Sequence, residues 1–251
     1  MSKQQKTVRM PDGEVCNGGS CRFPRATAEM PEEHAELTSH NMSDITWRIF
    51  RIMAEFVEGF QFLTTTFKEV SIFGSARINE NSPWYKEVVK LGKILGDEGF
   101  TVITGGGPGM MEAANRGAFE AGAPSLGLNI QLPTEQRVNP FVTRSKAFYY
   151  FFTRKVMLTA SGQAYVFCPG GFGTLDEFSE ILTLIQTDKM SRVPCVLLSH
   201  AFWDPMVAWM RKEMRDEFET ISPEDLDLFT IVDTAEEAMD IIRTSKERTI
   251  F

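Results

Sequence analysis

The chain has 251 residues, 43% hydrophobic and 11% aromatic, with 34 acidic against 26 basic side chains and a formal net charge of −8. That length suits one large domain or a domain with an appendage, and the composition excludes disordered and collagen-like chains. The acidic balance excludes a protein that holds nucleic acid by broad phosphate neutralisation, which needs a basic face, but leaves room for one small basic site.

The charge is unevenly placed. Residues 204–251 carry 13 acidic and 6 basic side chains, whereas residues 131–155 hold Arg137, Arg144, Lys146, Arg154 and Lys155 against Glu135 alone. Of the four cysteines, Cys168 and Cys195 lie in apolar runs and read as small core residues. Cys16 and Cys21 form a C-x4-C pair with no second pair at zinc-site spacing, so no metal is expected. No signal-peptide core and no run long enough to span a membrane is found, so the chain reads as soluble and cytoplasmic.

In chain order, residues 1–40 are polar and aperiodic and predict a flexible tail, ahead of a single domain over residues 41–251. Two of the three histidines, His34 and His40, fall in or beside that tail, which weakens any histidine-based catalysis. Ser43 is a plausible N-cap for a long helix over about 43–66, whose apolar stripe is Ile45, Ile49, Ile52, Phe56, Phe60 and Leu63. Covering that stripe falls to the domain's own sheet layer or to another subunit.

Short β-rich runs then alternate with helical patterns. Strands are expected at 70–73, 100–104, 124–130, 164–168, 195–199 and 229–232, with a short one at 147–151. Helices are expected at 82–97, 109–121, 153–161, from the loop after residue 169 to 186, at 205–218 and at 234–245. Such alternation predicts an α/β fold: a Rossmann-like, doubly wound parallel sheet with helices on both faces, preceded by the N-terminal helix. Ligands of such sheets bind at the carboxyl ends of the strands.

Three glycine-containing loops follow strands. Gly74-Ser75-Ala76-Arg77 ends the first, and Arg77 stands where a basic group reaches a ligand at the sheet edge or forms a surface salt bridge. Gly105-Gly106-Gly107 opens a helix carrying Glu112 and Asn115, candidate ribose or base contacts on one face. Its spacing is neither G-x-G-x-x-G nor a P-loop. The third, Pro169-Gly170-Gly171-Phe172-Gly173-Thr174, joins a strand end, three glycines and a hydroxyl to Asp176 and Glu177, one turn into a helix. Its N–H groups and Thr174 suit a monophosphate, whereas the acids alone are also explained by the helix dipole. The aromatic run 148–152 is either a stacking wall for a base or core.

The pair GGGPGMMEAAN and PGGFGTLDE, with Arg154-Lys155 between them, resembles the LONELY GUY (LOG) family over about residues 70–199. That resemblance implies hydrolysis of the N-glycosidic bond of purine nucleoside 5′-monophosphates, AMP or a cytokinin riboside monophosphate, to free base and ribose 5-phosphate. Glu177 and Arg154 match the family's catalytic Glu and Arg. The carboxylate would stabilise an oxocarbenium-like sugar and activate water, and Arg154 would stabilise the departing base or fix the phosphate. Lys155 would assist electrostatically. The helix ahead of the fold goes beyond the compact plant-type pattern, and PGMMEAAN resembles the bacterial nucleosidase-like branches. No cofactor is implied, and the expected partners are a nucleotide substrate and a second copy, as a homodimer or higher homo-oligomer, without nucleic acid or membrane. Two other readings remain. A nucleotide or cofactor carrier would share the fold and loops but not need both Arg154 and Glu177. A lysine decarboxylase, the label many family members have carried, needs pyridoxal phosphate on a Schiff-base lysine, and no lysine here has such a context.

Overall fold

The computed structural model describes residues 8–9, 15–16, 33–131, 138–160 and 162–248. The chain divides into two units, Met1–Arg48 and Ile49–Phe251. In the first, β1 (Val8–Arg9) and β2 (Val15–Cys16) pair antiparallel, Val8 opposite Cys16; most of the tail expected over residues 1–40 lies outside the described residues. Helix α1 runs Glu33–Leu63, ten residues earlier than its apolar stripe announces. The first turns carry no apolar period, so nothing in their pattern announces a helix. It stops at Leu63, ahead of the predicted end, where the hydroxyls of Thr64, Thr65 and Thr66 donate to the carbonyls of Gln61, Phe62 and Leu63.

The second unit is built on seven parallel strands: β3 (Glu69–Phe73), β4 (Thr101–Thr104), β5 (Ser125–Ile130), β6 (Arg144–Phe148), β7 (Ala164–Phe167), β8 (Cys195–Leu198) and β9 (Thr230–Val232). Their order is β6-β5-β4-β3-β7-β8-β9. Helices α2 (Pro83–Asp97), α3 (Met110–Glu120), α4 (Phe151–Ala160), α5 (Phe172–Gln186) and α6 (His200–Trp209) lie in the connections between them, and α7 (Ala235–Ile242) follows β9.

Alternate residues of each strand enter opposite cores, as the pleat requires. Val70, Ile72, Val102 and Val166 face α2, α3 and α7, while Phe73, Ile103, Tyr165 and Phe167 join residues of α1, α4, α5 and α6. Phe178 meets Phe167 edge-to-face at 5.2 Å and Trp203 at a tilt at 5.4 Å, and the Trp203 indole N–H donates to Phe167 O at 3.1 Å. Cys168 and Cys195 are buried, and burial pushes both thiols up to about 12, so they pack as inert core groups.

Several boundaries differ from the sequence reading. The short strand falls at Arg144–Phe148, so the aromatic run bridges strand end and helix start. The helix expected from residue 205 begins at His200, capped by Ser199, whose Oγ accepts from Phe202 N at 3.3 Å; Pro205 sits inside it rather than starting it, and a π-helical segment, Met210–Glu217, continues it. In α1 the stripe is covered only from Ile52 onward, with Phe56, Phe60 and Leu63 packed on the core, while Ile45 and Ile49 remain about half exposed.

The chain leaves β3 toward β4, β5 and β6, then returns to the other side of β3 with β7, β8 and β9. Beyond the ends of β3 and β7 the connections therefore diverge, which opens a crevice at the carboxyl edge of the sheet.

Candidate active site

The three glycine loops meet at that crevice and are bonded to one another. Ser75 N donates to Pro169 O at 3.1 Å, Met110 N to Ser75 O at 3.0 Å, and Cys168 N to Phe73 O at 2.8 Å. Such a seam needs bare backbone. At Gly109, with φ of +71°, a Cβ would lie 2.4 Å from Ser75 O, and one at Gly74 would lie 2.6 Å from Met110 Cβ.

Between the loops lies a cavity of about 800 Å³, within the range that holds a nucleotide-sized ligand. Its wall brings together Gly74, Ser75, Arg77, Gly105, Arg154, Gly170, Gly171, Gly173, Thr174 and Glu177. A second hollow of about 860 Å³ lies at the opposite, amino edge of β8 and β9, among Lys189–Cys195 and Thr244–Arg248, and contains none of these loops. Chemistry rather than size separates the two.

Helix α5 starts at the cavity, and a Cβ at Gly171 or Gly173 would meet nothing within 4 Å, so a ligand has open access to the backbone. The N–H groups of Thr174 and Leu175 fold back on Gly171 O, leaving those of Phe172 and Gly173, both on the wall, for an anion.

Across from this helix start, α4 delivers Arg154. Its Nη2 lies 4.0 Å from Glu177 Oε1, too long for a hydrogen bond, with the side chains only 17% and 5% exposed. Arg154 Nε and Glu177 Oε2 are both buried and lack a hydrogen-bond partner among the described residues. An unpartnered buried polar atom costs about 1–3 kcal/mol, so two of them on one cavity wall mark a place built for a polar ligand.

Burial pushes the Glu177 carboxyl up to about 7; Lys155 and Arg154 pull it down, while Glu180 and Asp176 push it up. Burial also draws the Arg154 guanidinium down, against Glu177 and Asp176. Glu177 thus binds its proton more tightly folded than unfolded. Between its ordinary value of 4.5 and about 7 the folded chain holds a proton that the unfolded chain has lost, so stability falls as pH rises through that window. In Glu177→Gln this slope is expected to vanish, the variant gaining on wild type by about 3 kcal/mol between pH 4 and pH 8. Urea unfolding across that range checks it, and parallel profiles would refute the assignment.

Residues 111–242, just over half of the chain, match the family described as "Possible lysine decarboxylase". The chain belongs to the LOG family. Among curated relatives, a probable cytokinin riboside 5′-monophosphate phosphoribohydrolase of Oryza sativa subsp. japonica is 22% identical over 76% of this chain and 77% of its own. A second from the same plant is 27% identical over 62% of this chain and 64% of its own. Among solved structures, the molybdenum cofactor binding protein of Rippkaea orientalis superposes with a TM-score of 0.52 at 21% identity, covering 70% of this chain and 94% of its own, a likeness of fold.

In this LOG chain several residues proposed from sequence lie outside the cavity wall. Asn115 is fully buried: its Oδ1 accepts from Thr104 Oγ1 (2.6 Å) and Asn139 Nδ2 (2.9 Å), and its Nδ2 donates to Ser125 Oγ (2.9 Å). It props the triple-glycine loop rather than meeting a ligand. Gly106 and Gly107 belong to the same support, Gly106 O accepting from Asn139 N and Gly107 O from Asn139 Nδ2. Glu112 accepts from the Tyr85 hydroxyl at 3.0 Å. Lys155 points to Asp176 (2.7 Å) and Glu180 (3.0 Å), so Lys155 and Asp176 satisfy each other beside the site.

The aromatic run does not line the cavity either. Phe148 and Tyr150 are buried, Tyr149, Phe151 and Phe152 are exposed, and the Arg154 guanidinium lies 5.2 Å from the Phe151 ring centre. The aromatic residues of its wall are instead Phe73, buried at its base, Phe172, 91% exposed, and Phe202. Phe172 sits inside the third glycine motif and could have been read there; Phe202 reaches the cavity only because β8 neighbours β7, which no local signal carries.

Proposed function

We propose that this protein hydrolyses the N-glycosidic bond of a purine nucleoside 5′-monophosphate, releasing the free base and ribose 5-phosphate. The observation that carries this reading is the facing pair of unpartnered buried groups, Arg154 Nε and Glu177 Oε2, beside a glycine-lined helix start. The phosphate sits on the N–H groups of Phe172 and Gly173 with the Thr174 hydroxyl, where the helix dipole favours an anion. The ribose then lies toward Glu177, whose carboxylate stabilises positive charge growing at C1′ and takes a proton from the attacking water. Water oxygen bonds to C1′ as the C1′–N bond breaks; the base leaves with the bonding pair and takes up a proton from solvent, while Glu177 releases to solvent the proton it took from water. Arg154 stabilises the negative charge that develops on the departing base. The names of the plant relatives support the same bond and substrate class.

The lysine decarboxylase description does not fit the residues present. A Schiff-base lysine needs a depressed pKa; burial pulls Lys155 down, but its bonds to Asp176 and Glu180 outweigh this and hold it up. The test is incubation of the protein with a panel of nucleoside monophosphates, cytokinin ribotides among them, scored for free base by chromatography. Base release supports the proposal; tight nucleotide binding without release from any of them supports a carrier.

We also expect a homodimer in the cytoplasm. Ile49, Met53 and Val57 repeat at four-residue spacing on α1 and are each more than half exposed, as are Tyr149 and Phe151. Apolar rows of that kind are buried by self-association in obligate dimers. Sedimentation at micromolar concentration is expected to give twice the chain mass, and a monomer would count against it.

A further inference from the structure

Helix α4, which carries Arg154, lacks the acidic third residue of a capping box. In the usual capping box the third helical residue is a Glu or Gln that reaches back to the N-cap N–H. Here that position is Thr153, whose side chain is too short, and Tyr150 precedes the helix. The missing carboxylate comes from a distant helix. Glu55 of α1, 9% exposed, accepts from Tyr149 N at 2.7 Å, Tyr150 N at 3.3 Å and the Thr153 hydroxyl at 2.6 Å. Tyr150 O, 2.8 Å away, shares the single proton of the same hydroxyl, and Arg154 N begins the helical bonding by donating to Tyr150 O at 3.3 Å.

The contact belongs to a docking face of α1. Glu58 ion-pairs with Lys146, a Cβ at Gly59 would lie 2.5 Å from Met157 Sδ, and the Arg144 guanidinium stacks 4.7 Å from the Phe62 ring centre. Residues three, four and seven positions apart thus grip β6 and α4 from one side. Glu55 occupies the centre of the otherwise apolar buried stripe, where a carboxylate is tolerated only because its oxygens are fully used.

We infer that Glu55 is a positioning residue for Arg154: α1 fixes the start of α4, and with it the distance between the guanidinium and Glu177. This rests on the nucleosidase reading for its kinetic consequence but not for its structural one. Misplacing a catalytic group by about 1 Å costs on the order of a hundredfold in rate. Glu55→Ala is therefore expected to lower kcat for base release by roughly ten- to hundredfold, with KM changed less than about threefold because the phosphate subsite on α5 is untouched. Glu55→Gln keeps one acceptor oxygen and is expected to recover part of the rate. Glu236→Ala, which removes the exposed ion pair with Lys90 on α7 and α2, away from α1, α4 and the cavity, serves as the control with wild-type kcat.

Hydrogen–deuterium exchange of residues 149–158, compared at equal thermal stability margin, supplies a readout independent of turnover. Faster exchange there in Glu55→Ala, with the rest of the sheet protected as in wild type, is the expected result. Wild-type exchange over 149–158 overturns the inference, as does a uniform loss of protection across the domain, or a kcat equal to wild type with exchange increased. If wild-type protein releases no base from any nucleotide, the nucleosidase reading fails, and the exchange measurement alone decides whether Glu55 holds the start of α4.

Discussion

Glu177→Gln is expected to lower kcat for base release by about 10²–10⁴-fold while nucleotide binding survives. The substitution keeps the shape of a side chain that is 4% exposed and whose Oε2 has no partner, so neither packing nor an existing hydrogen bond explains a loss. What it removes is negative charge facing the sugar carbon and the site that accepts the proton of water. The wild-type pH profile of kcat/KM is expected to show an acid limb near 7, reporting the raised carboxyl of the free protein, and the residual activity of the variant to lack that limb. Calorimetric titration with AMP together with product chromatography separates the two effects. A variant that turns over normally would remove Glu177 from the chemistry.

Arg154→Ala is expected to cost about 10²–10³-fold in kcat, the scale found when one preorganised donor is removed from a dry site. The guanidinium is 17% exposed and lies 4.0 Å from Glu177, so its loss also leaves that carboxylate with Lys155 alone to favour its charge and drives its pKa further up. Lysine is not expected to substitute, since a compact ammonium on a flexible stem lacks the planar fork that reaches along the cavity wall. Steady-state kinetics decide the role. A raised KM at unchanged kcat would assign Arg154 to uniform substrate binding instead of to charge on the leaving base.

Much of the architecture was legible because strand and helix periods differ so sharply. Val70, Ile72, Val102 and Val166 lie in short apolar runs ended by glycine loops, and every one of those runs became a sheet strand. The third glycine loop carried its own chemistry, so it and Glu177 could be placed at one sheet edge before any contact was known, whereas Arg154 was singled out by the family resemblance. Asn115 shows where spacing misleads. Its helical position is the one a ligand-facing residue would take, yet Thr104, Ser125 and Asn139 enclose it from three separate segments. Phe202 and Glu55 were hidden for the opposite reason. Their roles exist only across elements distant in sequence, and within α1 a single Glu in an apolar stripe reads as an interruption.

The backbone seam through Ser75 bears on where discrimination between substrates resides. Because Ser75 N and O are bonded to the third and second glycine loops respectively, the loops hold one arrangement before any ligand arrives. The entropy of ordering them is spent during folding and does not weaken binding. On the proposed nucleosidase reading, the ribose phosphate would meet a rigid cradle, and adaptation would fall to the protruding parts of the wall. On that reading, Phe172, whose ring is almost wholly in solvent at the rim of the cavity, is the side chain whose replacement would change base preference while leaving the backbone seam as it is.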